Sequence, residues 1–135
     1  MNMNVDHVAI RVADLDKMQQ WYECHVGAVL VFKDKYYRRM RMENTVIALI
    51  DKNRYPDNHI GVLVEKQEDL PKVGYRKTHR DGTIGVYQQD PEGNTVEYIW
   101  YSVEAASNMN NVCKRQGFGG RILQKIQRWG SRFLG

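Results

Sequence analysis

Residues 79–101 read H-R-D-G-T-I-G-V-Y-Q-Q-D-P-E-G-N-T-V-E-Y-I-W-Y. The alternation in Thr83–Gln89 and Thr95–Tyr101 predicts two strands, and Asp90-Pro91-Glu92-Gly93-Asn94 between them predicts a tight turn. Glu97 stands in the second strand among Val96, Tyr98, Ile99 and Trp100. A carboxylate in a half-buried strand is costly unless it is paired or holds a cation, so Glu97 calls for a positive partner.

Its surroundings emerge on going back to the start of the chain. Val5–Val12 alternates, with Val8, Ile10 and Val12 on one face and His7, Ala9 and Arg11 on the other. Asp14 or Asp16 can cap a helix whose Met18, Trp21, Tyr22 and Val26 follow helical spacing and which Gly27 ends. Strand-like runs follow at Val29–Phe32, Tyr36–Met42 and Thr45–Ile50, a β-α-β-β-β order. The order then begins again: His59-Ile60-Gly61-Val62-Leu63-Val64 repeats the pattern of His7-Val8-Ala9-Ile10-Arg11-Val12. Glu65–Val73 takes the helix position, shortened or made irregular by Pro71. Tyr75–Lys77 and a turn at Asp81-Gly82 lead into the hairpin.

Thr95–Trp100 pairs with Thr45–Ile50 of the first half, so the repeat offset is 52 residues at the start and 50 at the end. A duplicated module follows, module one spanning 5–52 and module two 58–101. Two copies of one module meet about a pseudo-two-fold axis, because each presents the same half-covered sheet. The predicted fold is α+β: two βαβββ modules forming a curved mixed sheet with a metal-binding cleft, and a C-terminal helix. Strand parity gives His7, Ile47, His59 and Glu97 as the equivalent inward positions. Ala9 and Gly61, two places beyond each histidine, are small enough to leave room for a ligand.

The hairpin residues Asp90-Pro91-x-Gly93-x-x-x-Glu97 resemble the terminal hairpin of the vicinal oxygen chelate superfamily, which includes glyoxalases, fosfomycin-resistance enzymes, bleomycin-binding proteins and extradiol dioxygenases. The resemblance covers residues 5 to about 101, and in that superfamily the glutamate is a metal ligand. It implies that His7, His59 and Glu97 form a two-histidine, one-carboxylate set with open positions, which suits Fe(II) or Mn(II) and also accepts Zn(II). Ile47 cannot ligate, whereas glyoxalase I enzymes carry a ligand at that place, so the resemblance is to a three-ligand member. It also implies that the modules pair within one chain or are exchanged between two, in which case the site straddles a homodimer.

Within the superfamily, His79, six residues, Val86-Tyr87, Gln88-Gln89, Asp90-Pro91, Glu92, Gly93 and Glu97 are similar to the extradiol dioxygenase signature, with Lys77 outside the pattern. By that resemblance His79 and Tyr87 are the catalytic groups, hydrogen-bonding a bound catecholate. Family members carry a further histidine before the second ligand, and residues 27–58 contain none. Two other expectations stand beside ring cleavage. One is a fosfomycin-type thiol transferase or another glyoxalase-like lyase, although Ala9 replaces the threonine expected there and Ala105-Ala106 replaces the anion-binding arginine. The other is a bleomycin-type binding protein, its cleft lined from Trp21, Tyr36, Tyr37, Tyr87 and Trp100, residues whose commoner role is core packing.

The net charge of +4 is unevenly placed: residues 1–104 hold fourteen Lys/Arg and sixteen Asp/Glu, residues 105–135 six Lys/Arg and no acid. The compact domain is therefore expected over 1–103 and a basic tail over 104–135. In the tail, Gly120–Leu134 predicts an amphipathic helix with Ile122, Leu123, Ile126, Trp129 and Phe133 on one face. Docking of that face on the chain's own sheet or on a second subunit is expected ahead of peripheral membrane contact, and nucleic acid is the least expected partner. Arg39 and Arg41 share one face of their strand and read as solvated, with an anionic substrate as the alternative. Met1–Asp6 lacks the features of a signal peptide, no apolar run is long enough to span a bilayer, and Cys24 and Cys113 make no disulfide framework. The expectation is a cytoplasmic protein acting on a small molecule.

Overall fold

A computed structural model describes residues 3–107. Module one comprises β1 (Asn4–Val12), α1 (Leu15–Val26), β2 (Val29–Asp34), β3 (Tyr37–Arg41) and β4 (Val46–Asp51). Module two comprises β5 (His59–Leu63), a single 3-10 turn at Gln67–Asp69, β6 (Tyr75–Thr78), β7 (Ile84–Gln89) and β8 (Thr95–Trp100). The predicted helix at Glu65–Val73 is thus reduced to three residues, as a Pro71 that cannot donate to a helical ladder favours.

The eight strands form one curled mixed sheet in the order β2-β3-β4-β1-β5-β8-β7-β6. β1 runs parallel to β4 and β5 parallel to β8, while β1 and β5 join the modules antiparallel. That junction sets His7 opposite Gly61 and Ala9 opposite His59, an arrangement that maps onto itself under exchange of the modules. In the described chain the modules thus pair through β1 and β5, and all three candidate ligands come from that one chain.

Local chemistry explains the elements. The Asp14 carboxylate accepts from the Lys17 amide at the helix start, and Gly27 adopts φ +67° at its end, a left-handed conformation that costs glycine little. In the β7–β8 turn, Asp90 accepts from the amides of Glu92 and Asn94. Helix α1 lays Leu15, Met18 and Tyr22 on a convex-face core of Val12, Ala28, Met40 and Leu49. On module two the convex face holds Val64, Leu70 and Val86, with Tyr98 and Trp100 packed against them. The concave face keeps the polar residues, and residues 103–107 close one end with Ala105 against Leu63, Ile99 and Tyr101.

Two sequence expectations are overturned here. Arg39 and Arg41 are 3% and 1% exposed, not solvated. Arg39 donates to the hydroxyls of Tyr37 and Tyr101 and lies 3.6 Å from the Asp6 carboxylate, so its charge balances a buried acid. Ile47 is not the counterpart of Glu97. It packs against the α1 core, and the ladders pair Ala9 with Ala48 and Gly61 with Glu97, so Ala48 holds the fourth equivalent place. Parity orders one strand, but register between strands depends on the backbone ladder, and a slip by one residue changes the face. The predicted helix at 120–134 and Cys113 lie outside the described residues.

Candidate metal centre

His7 on β1, His59 on β5 and Glu97 on β8 converge at the middle of the concave face. The His7 and His59 Nε2 atoms are 3.0 Å apart, and Glu97 Oε1 is 3.2 Å from the first and 3.3 Å from the second. A cation about 2.1 Å from each donor would hold such atoms about 3.0 Å apart at octahedral angles and about 3.4 Å at tetrahedral angles. All three separations fall in that interval, so the donor set fits a divalent ion. Its two imidazoles and one carboxylate suit Fe(II), Mn(II) or Zn(II).

The approach of His7 depends on a glycine. A Cβ at Gly61 would lie 2.1 Å from His7 Cε1, so the space that the sequence assigns to a ligand is filled by the His7 ring. Gly85 does the same for the other wall, where a Cβ would meet Glu97 Oε2 at 2.1 Å and His79 Nε2 at 2.9 Å. Both close approaches explain glycine at otherwise strand-like positions.

Asp6 is the residue that sequence reasoning missed. Alternation sends it to the face opposite His7, but β1 bulges between Val5 and His7, and the extra residue turns Asp6 into the interior. Its Oδ2 is 2.8 Å from His7 Nδ1 and accepts from the Tyr101 hydroxyl at 3.0 Å. With the Nδ1 proton committed to Asp6, the neutral His7 ring presents a lone pair on Nε2 to the site, the usual carboxylate support for a metal-binding histidine. The readable signal was an acid directly beside a candidate ligand.

The two catalytic candidates lie against the carboxylate. His79 Nε2 is 2.5 Å from Glu97 Oε2, the oxygen turned away from His7 and His59, and the Tyr87 hydroxyl is 3.4 Å from the same nitrogen. His79 therefore occupies one carboxylate oxygen and leaves the other to the ligand set. Burial makes the charged form of Glu97 costly, yet hydrogen bonds with His59, His7 and His79 hold its carboxyl well below the usual range. Burial likewise opposes the charged form of His7, but Asp6 and Glu97 lift it to about 9. Without a metal, a proton thus supplies positive charge where two buried carboxylates demand it. Burial, reinforced by the Glu97 charge, raises the Tyr87 hydroxyl far above its ordinary value and keeps it a neutral donor.

The three candidate ligands line a pocket of about 60 Å³ together with Tyr37, Ala48, Ile50 and Ile99. An outer cleft of about 410 Å³ shares Tyr55, His59 and Tyr87 with it. Of the aromatic residues considered for the cleft, Tyr37 lines the inner pocket, Tyr87 lines both cavities and Tyr36 lines neither, whereas Trp100 packs on the convex face and Trp21 is 46% exposed on α1.

No family model matches the chain, and no curated protein matches its sequence. Solved structures do match in fold. A hypothetical protein from Bacillus halodurans C-125 superposes with a TM-score of 0.63 at 11% identity, over 76% of this chain and 96% of that one. A methylmalonyl-CoA epimerase from Mycobacterium tuberculosis gives 0.53 at 17% identity, over 71% and 86%. A variant of homoprotocatechuate 2,3-dioxygenase from Brevibacterium fuscum gives 0.55 at 18% identity, over 73% of this chain and 32% of that one. The fold is that of the glyoxalase/bleomycin resistance/dioxygenase, or vicinal oxygen chelate, superfamily. The matched structures include both an epimerase and a dioxygenase, so the fold leaves the reaction to the residues of the site. Among the described residues no helix is long and apolar enough to cross a membrane.

Proposed function

We propose that this protein is a divalent-metal-dependent enzyme acting on a small molecule with vicinal oxygens, and that its reaction is extradiol-type oxidative cleavage of a catechol. The observation that carries this reading is the three-donor cluster with His79 and Tyr87 beside it: ligand atoms 3.0–3.3 Å apart, and both catalytic candidates within 3.4 Å of one another. At the fourth equivalent place Ala48 offers only a methyl group, which leaves the substrate side of the centre free of protein ligands.

When bound, Fe(II) or Mn(II) would supply the chelating centre and the electronic path between substrate and dioxygen. The chain's own residues do the rest. His7, held by Asp6, and His59 orient the donor set, while Glu97 contributes one oxygen and keeps the other on His79. His79 Nε2, between Glu97 and Tyr87, is placed to hold and move a substrate proton. Tyr87 donates a hydrogen bond to a substrate oxygen without ionising. Ile50, Ile99 and Tyr37 give the pocket around the donor set part of its apolar wall. The site lies wholly within residues 1–103, which we assign as the catalytic domain of a cytoplasmic homodimer, with 104–135 as a basic C-terminal tail whose first residues, 104–107, pack onto that domain.

The test begins with elemental analysis of protein purified without chelator or affinity-tag metal, followed by loading with Fe(II), Mn(II) or Zn(II) and incubation with catechols under oxygen. About one Fe(II) or Mn(II) per chain with oxygen uptake and ring-cleaved product is expected. His79→Ala at saturating metal should lower kcat by about 10²- to 10⁴-fold with metal content unchanged. A metal-loaded parent that consumes no oxygen with any catechol would refute ring cleavage, and one that takes up no metal would refute the enzyme reading.

A further inference from the structure

The outer cleft carries cationic groups that the fold does not use. Around the concave face the other arginines are engaged: Arg39 by Tyr37, Tyr101 and Asp6, Arg80 by Asp34 at 2.7 Å, and Arg11 by the carbonyls of Tyr55 and Lys52. Lys77 and Arg54 differ. Both line the outer cleft, whose lining also includes one acid, Asp57, and among the described residues neither cation lies within 4.0 Å of a carboxylate. The Lys77 Nζ lies 5.1 Å from the centre of the Tyr55 ring, and the Arg54 guanidinium 4.2 Å from that of Tyr36. Ring faces favour cations but do not neutralise them, so the part-buried residue Lys77 and the exposed Arg54 both keep their charge toward the cleft.

The position relative to the metal centre follows from the sheet. Lys77 pairs with Gly85, and Gly85 abuts both Glu97 Oε2 and His79 Nε2. β6 is two strands from β8, and the ladders set Lys77 level with Ile99, two residues along from Glu97, which puts the Lys77 and Glu97 backbones about 12 Å apart across the concave face. Beside Lys77 on β6 stands Tyr75, 67% exposed, in register with Tyr87 of β7 and through it with Glu97 of β8, the two tyrosine ring centres 6.3 Å apart. Exposed aromatic surface in a concavity offers a stacking platform for a planar group.

From this geometry we infer that the outer cleft is an anion-binding subsite, so that the substrate is an aryl compound whose far end carries a carboxylate or a phosphate ester held by Lys77 and Arg54. The inference builds on the metal-enzyme reading above, because the head group of that substrate is the one chelated at His7, His59 and Glu97. The arm spans the tyrosine-lined passage, and its charge selects the substrate before the head reaches the centre.

Calorimetric titration of the full-length protein separates the two readings. Metal-free protein is titrated with phenylacetate, phenyl phosphate and neutral benzyl alcohol, and metal-loaded protein with unsubstituted catechol. The anionic probes should bind and benzyl alcohol should not, with whichever anion binds more tightly naming the arm as carboxylate or phosphate. Lys77→Gln should weaken anion binding about tenfold, as expected for loss of a charge-assisted contact. Arg54→Gln should weaken it less, and Lys72→Gln, outside the cleft, should not change it. Anion binding lost in Lys77→Gln supports the subsite even if catechol fails to bind the metal-loaded protein, an outcome that would sink only the ring-cleavage reading. Equal binding of neutral and anionic probes, or an unchanged Lys77→Gln, overturns the subsite whatever catechol does.

Discussion

The two modules share a strand plan and divide the work of the site. Each begins with a histidine at the same place, but the residue before it differs: Asp6 turns inward through a bulge and holds His7 Nδ1, whereas Asn58 stays exposed and accepts the Arg11 amide at 2.8 Å. On the last strand Ala48 stands where module two has Glu97, and on the strand beside it the ladders match Arg39 with Tyr87. Module one thus contributes one candidate ligand and a buried acid-base scaffold. Module two contributes two candidate ligands, both catalytic candidates and, with Arg54 of the connection, most of the outer cleft. Duplication supplies a symmetric frame, and the departures from symmetry make the site chemically directional.

The largest effect should come from removing the asymmetric ligand. Glu97→Ala should reduce metal content from about one equivalent to none, because two neutral imidazoles alone complete no divalent-metal site. Elemental analysis after desalting checks it, and retention of metal would place the ion elsewhere. Next in size is the contrast between the residues preceding the histidines. Asp6→Asn should weaken metal binding about 10- to 100-fold by removing the carboxylate behind His7, while Asn58→Ala should leave it unchanged in a competition titration against a coloured chelator. Equal effects would mean that His7 is oriented by packing alone. The smallest effect on the site belongs to Ile47→Ala. With Ile47 on the α1 face, the variant should lose about 2 kcal/mol in urea unfolding and bind metal like the parent. Loss of metal there would restore the register that the ladders contradict.

Most of the frame was legible in the sequence because its signals are local. Alternating residues marked strands, Asp14 and Gly27 bounded the helix, Gly93 and Asp90 made the turn, and the paired His-x-small patterns exposed the duplication. Glu97 stood out because a carboxylate in an apolar strand needs a partner. The three candidate ligands followed once the repeat was aligned, and the fold brings their donor atoms together. The role of Gly61 was half legible: its small size was plain, but the atoms occupying its space come from another strand.

Sequence by itself determined the α+β order of elements, the alternation along most strands and the candidate set of His7, His59 and Glu97, since these follow from spacing within short segments and from the repetition of one pattern. Tertiary structure alone decided that Ala48 and not Ile47 faces Glu97's place, that Asp6 turns inward, that Arg39 and Arg41 are buried, and that the modules join through β1 and β5 of one chain. The reason is common to all four. Ladder register, bulges and burial of charge are set by hydrogen bonds and contacts between segments far apart in sequence, which no single strand's pattern encodes.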